Sequence, residues 1–109
     1  MKIFLDDTKL CPIGWQLVKT YNEFISIVLD NKDSIEEISL DYELKMTDKE
    51  HTGLDACNFL IENPVNCKQI IIHSTHPKAE QMIDILKGKY NVILEEYDMF
   101  KIMEQYKNQ

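Results

Sequence analysis

The 109-residue sequence predicts a small three-layer α/β domain, a parallel sheet with helices packed on it. From residue 16 onward, short apolar runs alternate with stretches of helical periodicity: strand, helix, strand, helix, strand, helix, strand, helix. The runs themselves are nearly continuous in Ile, Leu and Val, without strict polar alternation, as expected of strands buried on both faces. The length suits one core, so one domain is expected over 1–109.

KIFLD, residues 2–6, is the first strand, stopping at the acids Asp6 and Asp7. The stretch TKLCPIG follows, with Pro12 and Gly14 marking a loop, and Trp15 is expected to anchor that loop against the domain. QLVKT, residues 16–20, is the second strand. Thr20 with Glu23 forms a capping box for a helix whose apolar face is Phe24, Ile25, Val28 and Leu29. EEISLD, residues 36–41, is the third strand and ends on Asp41. The polar stretch 42–53 leads to a helix carrying Leu54, Cys57, Leu60 and Ile61, which Pro64 terminates. Loops of that length in compact domains are often functional. QIIIHS, residues 69–74, is the fourth strand. A helix is expected from Pro77, with Ala79, Met82, Ile83 and Leu86 inward and Gly88 as its stop. NVILEE is the fifth strand, and a last helix over 98–107 should bury Met99, Ile102, Met103 and Tyr106.

Ligands of open parallel sheets bind beyond the carboxyl ends of the strands, and this chain concentrates its chemistry there. Asp6 and Asp7 close the first strand, Asp41 the third, and His73, Ser74 and His76 the fourth. His51 lies in the loop after the third strand, beside Glu43, Thr52 and Asp55, which are further candidates. Thr52 and Asp55 have the spacing of a helix cap, and Ser74, Thr75 or His76 could cap the helix at Pro77. Carboxylates crowded on one edge repel unless a cation neutralises them. Such an oxygen set suits Mg²⁺ or Mn²⁺, and hard divalent ions are the usual partners of phosphate oxygens. Histidines supply a proton donor and acceptor near neutral pH. Together these residues point to phosphate-ester chemistry. His73 and His76 would move protons, Ser74 and backbone N–H groups near Pro77 would cradle the phosphate, and Asp41 is a candidate nucleophile.

The charge balance narrows the partners. Twelve basic against nineteen acidic residues leaves −7, which excludes a broad nucleic-acid or anionic-membrane surface. Every basic residue is a lysine, so no guanidinium clamp exists, and phosphate must be held by Lys, His, backbone N–H or a metal. No apolar run approaches a membrane span, and MKIFLDD does not read as a signal peptide, so a cytoplasmic location is expected. Cys11, Cys57 and Cys67 match no zinc or disulfide spacing and are read as reduced thiols. Abundant Lys, Ile and Asn without Arg fit an AT-rich bacterial or phage genome.

The blocks KIFLDDTKLCPIGWQLVKTY, EEISLDYEL, HTGLDACNFL and IIIHSTHPKAEQM resemble those of the cyclic-phosphate processing receiver domains, a reduced branch of the flavodoxin-like receiver superfamily. The resemblance implies five parallel strands in the order 2-1-3-4-5, with the first helix replaced by a loop. In receivers the acid pair after the first strand holds Mg²⁺ and the aspartate ending the third accepts a phosphoryl group. Those roles map onto Asp6, Asp7 and Asp41, with Ser74 at the hydroxyl that contacts the phosphoryl group. The chain departs from receivers where a lysine should follow the fifth strand and Glu95, Glu96 and Tyr97 stand instead. Within the reduced family it departs at Tyr42, where histidine is expected, at Glu43, where aspartate is, and at His76, where asparagine is common. The implied activity is a metal-dependent phosphoesterase acting on cyclic nucleotides or cyclic phosphate ends. The alternatives are a receiver-like module that binds a phosphorylated small molecule or a protein, and a phosphoacceptor receiver.

Overall fold

The computed structural model describes residues 1–109. Its elements are β1 (Lys2–Leu5), β2 (Gln16–Val18), α1 (Tyr21–Asp30), β3 (Glu37–Leu40), α2 (Gly53–Glu62), β4 (Gln69–Ile72), α3 (Ala79–Leu86), β5 (Val92–Leu94) and α4 (Met99–Lys107). All five strands are parallel, in the order β2-β1-β3-β4-β5. This is the receiver-like topology, with residues 6–15 in place of a first helix.

Side-chain alternation divides the sheet into unequal faces. Ile3, Leu5, Ile38, Leu40, Ile70 and Ile72 point to one side and join the main core. Phe24 and Val28 of α1, Cys57 and Leu60 of α2, and Met82 and Leu86 of α3 cover them. Each such fully buried side chain contributes about 1.5–3 kcal/mol. The alternate residues Phe4, Ser39 and Ile71 face the other way, towards loop 6–15 and α4. That second layer is thin. Loop and helix meet through Gln105 Oε1, which accepts from Ile13 N–H at 3.0 Å, and through Tyr106 Oη, which donates to the Cys11 carbonyl. Gly14 turns the loop at φ 89°, a backbone region that favours glycine.

Three expectations are corrected. Leu29 is exposed, because α1 has neighbours only along the stripe that holds Phe24 and Val28. In α4 only Ile102 is buried, while Met99, Met103 and Tyr106 stay largely exposed, because the helix packs on a loop instead of a second full layer. The third helix begins at Ala79, two residues beyond Pro77, and its N-cap residue Lys78 makes no side-chain cap. No helix is long and apolar enough to cross a membrane.

Candidate functional site

Strand register explains the site. Leu5 pairs with Leu40, and Leu40 with Ile72, so the next residue of each strand, Asp6, Asp41 and His73, emerges side by side. Backbone bonds extend the register by one step: Asp41 N–H donates to the Leu5 carbonyl and His73 N–H to the Leu40 carbonyl, each at 3.0 Å. Alternation turns all three side chains to the face of Phe4, Ser39 and Ile71, where a helix would otherwise lie. Their ligand atoms fall within 4.8 Å of one another, and all three residues are buried.

Hydrogen bonds tie these groups to one another and to the backbone. Asp6 Oδ1 accepts from Thr8 and Lys9 N–H, both at 2.9 Å, and Oδ2 lies 2.8 Å from His73 Nε2. Burial alone would raise the Asp6 carboxyl. The His73 hydrogen bond, the two backbone N–H groups and the His73 charge outweigh it and hold the carboxyl well below the usual range. An ionised Asp6 only accepts, so His73 Nε2 carries the hydrogen, and in the neutral ring Nδ1 accepts from Ser39 Oγ at 2.7 Å. The ring stacks on Phe4 at 4.4 Å and 6°, across the small Ser39 of the intervening strand. Asp41 is shifted the other way. Burial and then the charge of Asp6 raise it, against Lys9, His73 and a 2.8 Å bond from Tyr42 N–H to its Oδ1. The site thus holds one fixed anion beside a carboxyl whose proton is more firmly held.

Lys9 supplies the balancing charge. Its Nζ lies 3.6 Å from Asp6 Oδ2 and 3.9 Å from Asp41 Oδ2, and 5.7 Å over the ring of Tyr97. Two buried carboxylates already face one cation, so the donor set fits a hard divalent ion as well, with Asp6 and Asp41 as its oxygen ligands.

Outside this buried pair opens a crevice of about 270 Å³, to which Asp7, Asp41, Glu43, Ser74 and His76 all contribute. Of these, Asp7 Oδ2 accepts from Met46 N–H at 3.0 Å, which ties it to the 42–52 loop. Ser74 Oγ accepts from His76 N–H at 3.1 Å, leaving its own hydrogen free for a ligand. His76 Nδ1 accepts from Lys78 N–H, its Nε2 stands 3.6 Å from Glu43 Oε1, and its ring stacks on Tyr42 at 4.2 Å. Two of the N–H groups expected to cradle a phosphate are therefore already taken by Ser74 and His76.

The remaining candidates lie elsewhere. His51 is held by Asp48, with Nδ1 3.0 Å from Oδ1, and stacks on Tyr21 at 4.4 Å, so it fastens the loop to α1. Asp48 also accepts from the N–H groups of Tyr21, Glu50 and His51. Thr52 and Asp55 close the capping box of α2, with Asp55 Oδ2 accepting from Thr52 N–H at 2.8 Å. Two residues that sequence reasoning missed belong to the centre. Lys9 carried a signal, a lone lysine three residues after Asp6, and Ser39 carried another, a hydroxyl inside an apolar strand.

No curated protein and no solved structure matches the chain. A family model described as cyclic-phosphate processing receiver domain matches residues 1–88, from β1 through α3, and this span contains Asp6, Lys9, Asp41, His73, Ser74 and His76. With four-fifths of its length matched and the strand order of a receiver, the chain belongs to the cyclic-phosphate processing receiver domain family.

Proposed function

We propose that the crevice hydrolyses a cyclic phosphate, opening a cyclic nucleotide or a 2′,3′-cyclic phosphate end to a phosphomonoester. The convergence of Asp6, Asp41 and His73 within 4.8 Å, behind a crevice walled by Lys9, Ser74 and His76, carries this reading. Asp6 and Asp41 would hold Mg²⁺ or Mn²⁺, while Asp7, expected as a third ligand, stands outside their cluster at the crevice rim, bonded to Met46 N–H; such an ion polarises the phosphoryl group and lowers the pKa of a bound water. His73 keeps Asp6 in place and ionised, because both of its ring nitrogens are engaged. Proton donation therefore falls to His76. Its Nδ1 accepts from Lys78, so the neutral ring carries its hydrogen on Nε2, beside Glu43. Water attacks phosphorus and its proton passes to solvent through the open crevice, since Asp41, as a ligand of the ion, is not free to act as the base. The P–O bond of the ring breaks, and the leaving oxygen takes the Nε2 proton of His76 in its imidazolium form, in which Nδ1 also carries a hydrogen and has released the Lys78 N–H. Ser74 Oγ–H and Lys9 Nζ contact the phosphate oxygens.

The test is turnover of a panel of cyclic nucleotides and 2′,3′-cyclic phosphates with Mg²⁺ or Mn²⁺, resolved by chromatography. Asp41→Asn and His76→Ala should each lose on the order of 10²-fold or more in rate. Wild-type activity in Asp41→Asn, or no turnover of any substrate, would sink the mechanism.

A second reading, a module that binds a phosphorylated ligand without turnover, is favoured by the engagement of both His73 nitrogens. Saturable binding of a cyclic nucleotide with no product after prolonged incubation would establish it. A phosphoacceptor role predicts a mass increase at Asp41 after acetyl phosphate treatment, and an unshifted mass removes it.

A further inference from the structure

The crevice that would take the phosphate is almost wholly polar, Met46 being its one apolar wall, so it offers nothing to the organic part of an organophosphate. On the other side of His73 lies a second cavity, of about 400 Å³, between the open face of the sheet and α4. Phe4, Trp15 and Tyr97 form its aromatic walls, with Trp15 and Tyr97 at 6.4 and 6.2 Å from Phe4 between ring centroids. This space exists because a loop takes the place of a helix over Phe4, Ser39 and Ile71.

The two cavities adjoin. His73 stacks on Phe4 within the second while bonding Asp6 behind the first. Lys9 lines the first while its ammonium lies over Tyr97 of the second.

We infer that the second cavity is a nucleobase subsite, which makes the ligand a nucleotide whose phosphate occupies the acidic crevice; this rests on the phosphate reading of that crevice. Base–aromatic stacking tolerates any flat heterocycle, so the rings alone supply affinity without choosing a base. Glu95, Glu96 and Asp98 at the cavity, with Lys101 beside them, supply the orientation. Carboxylates accept from the amino and imino N–H groups on a base edge. The apolar aromatic walls take the base and the polar crevice the phosphate, on opposite sides of Lys9, whose ammonium bridges them. The walls from Glu95 to Gln105 lie beyond the residues matched by the family model, whereas Phe4, Trp15, Ser39 and Ile71 lie within them, so the C-terminal segment closes a cavity whose floor the matched region provides.

Trp15 is the only tryptophan and lines the cavity, so its emission reports occupancy directly. Cyclic GMP, cyclic AMP, ribose 5-phosphate and inorganic phosphate are titrated into the full chain with Mg²⁺, following fluorescence and, in parallel, heat. The nucleotides should bind at least fivefold more tightly than ribose 5-phosphate and alone change Trp15 emission. Tyr97→Ala should weaken the nucleotides at least fivefold and inorganic phosphate, through the loss of the ring under Lys9, by less than twofold. Tyr97→Phe, which loses only the bond to the Leu10 carbonyl, should bind as the wild type does. Equal affinity for nucleotides and ribose 5-phosphate in the wild-type protein overturns the subsite while leaving the phosphate crevice standing. Failure of every titrant, inorganic phosphate included, overturns both.

Discussion

At the scale of single residues, the centre is a contest between two carboxylates and one ammonium. Asp6 is stabilised by its donors, so its folded pKa lies below the unfolded one. Its contribution to stability is complete above the ordinary carboxylate range and is lost as pH falls below it. Asp41 has the opposite sign. Its folded pKa is raised, so its ionisation costs stability at neutral pH, and that cost disappears as the carboxyl protonates. Asp41→Asn keeps an oxygen for the Tyr42 N–H and removes the charge. Urea unfolding at pH 7 should show the variant more stable by about 1 kcal/mol. An equal or lower midpoint would show that Asp41 is not under electrostatic strain. Lys9 is one-third exposed, so its worth to either carboxylate is screened to about 0.2–1 kcal/mol. Lys9→Met should therefore tighten Mg²⁺ binding and weaken inorganic phosphate binding, each by roughly two- to fivefold. Calorimetric titrations that move in the same direction would contradict its place between cation and anion.

Among the elements, α2 sets the position of Asp41. Gly53 opens this helix with its N–H donating to the Tyr42 carbonyl at 2.7 Å, and a Cβ there would meet the Asp41 carbonyl oxygen and the Met82 methyl. The methyl can swing away, whereas the carbonyl belongs to the end of β3. Gly53→Ala should therefore cost about 1–3 kcal/mol in urea unfolding and shift the Asp41 and Tyr42 amide resonances. Undisturbed resonances there would mean that helix and strand end are not coupled. The strand ends were legible in the sequence because the apolar runs of β1, β3 and β4 stop at Asp6, Asp41 and His73, and parallel pairing turns that shared position into proximity. Lys9 and Ser39 were hidden because their roles depend on side-chain direction: Ser39 matters only once β3 is known to lie between Phe4 and His73. His51 misled because three histidines near one edge look equivalent in sequence, whereas the path of the 42–52 loop gives this one to Asp48. In α4 the periodicity marked an apolar stripe but not what would cover it, and only Ile102 found a partner.

For the whole molecule, the net charge of −7 works against the ligand proposed for it. The crevice repeats the imbalance, since Asp7, Asp41 and Glu43 outnumber Lys9 and Lys45 among its walls. A phosphate that approaches meets a repulsive field and then a rim with more carboxylates than ammonium groups. Only local cationic charge reverses this, and with no arginine in the chain a divalent ion is the strongest source available. Stripping metal with a chelator should therefore weaken nucleotide phosphate binding by about tenfold or more, the order expected when one full charge interaction is lost at a partly buried site. The long-range field also has a kinetic signature. Screening shortens to about 8 Å at physiological ionic strength, so salt hides the distant carboxylates from the ligand before it hides the contacts inside the crevice. At saturating Mg²⁺, the association rate of a cyclic nucleotide followed by Trp15 emission should rise as KCl increases from roughly 10 to 150 mM. A basic ligand-steering surface would give the reverse, and a falling rate would place the encounter on a positively charged path that the distribution of lysines does not provide.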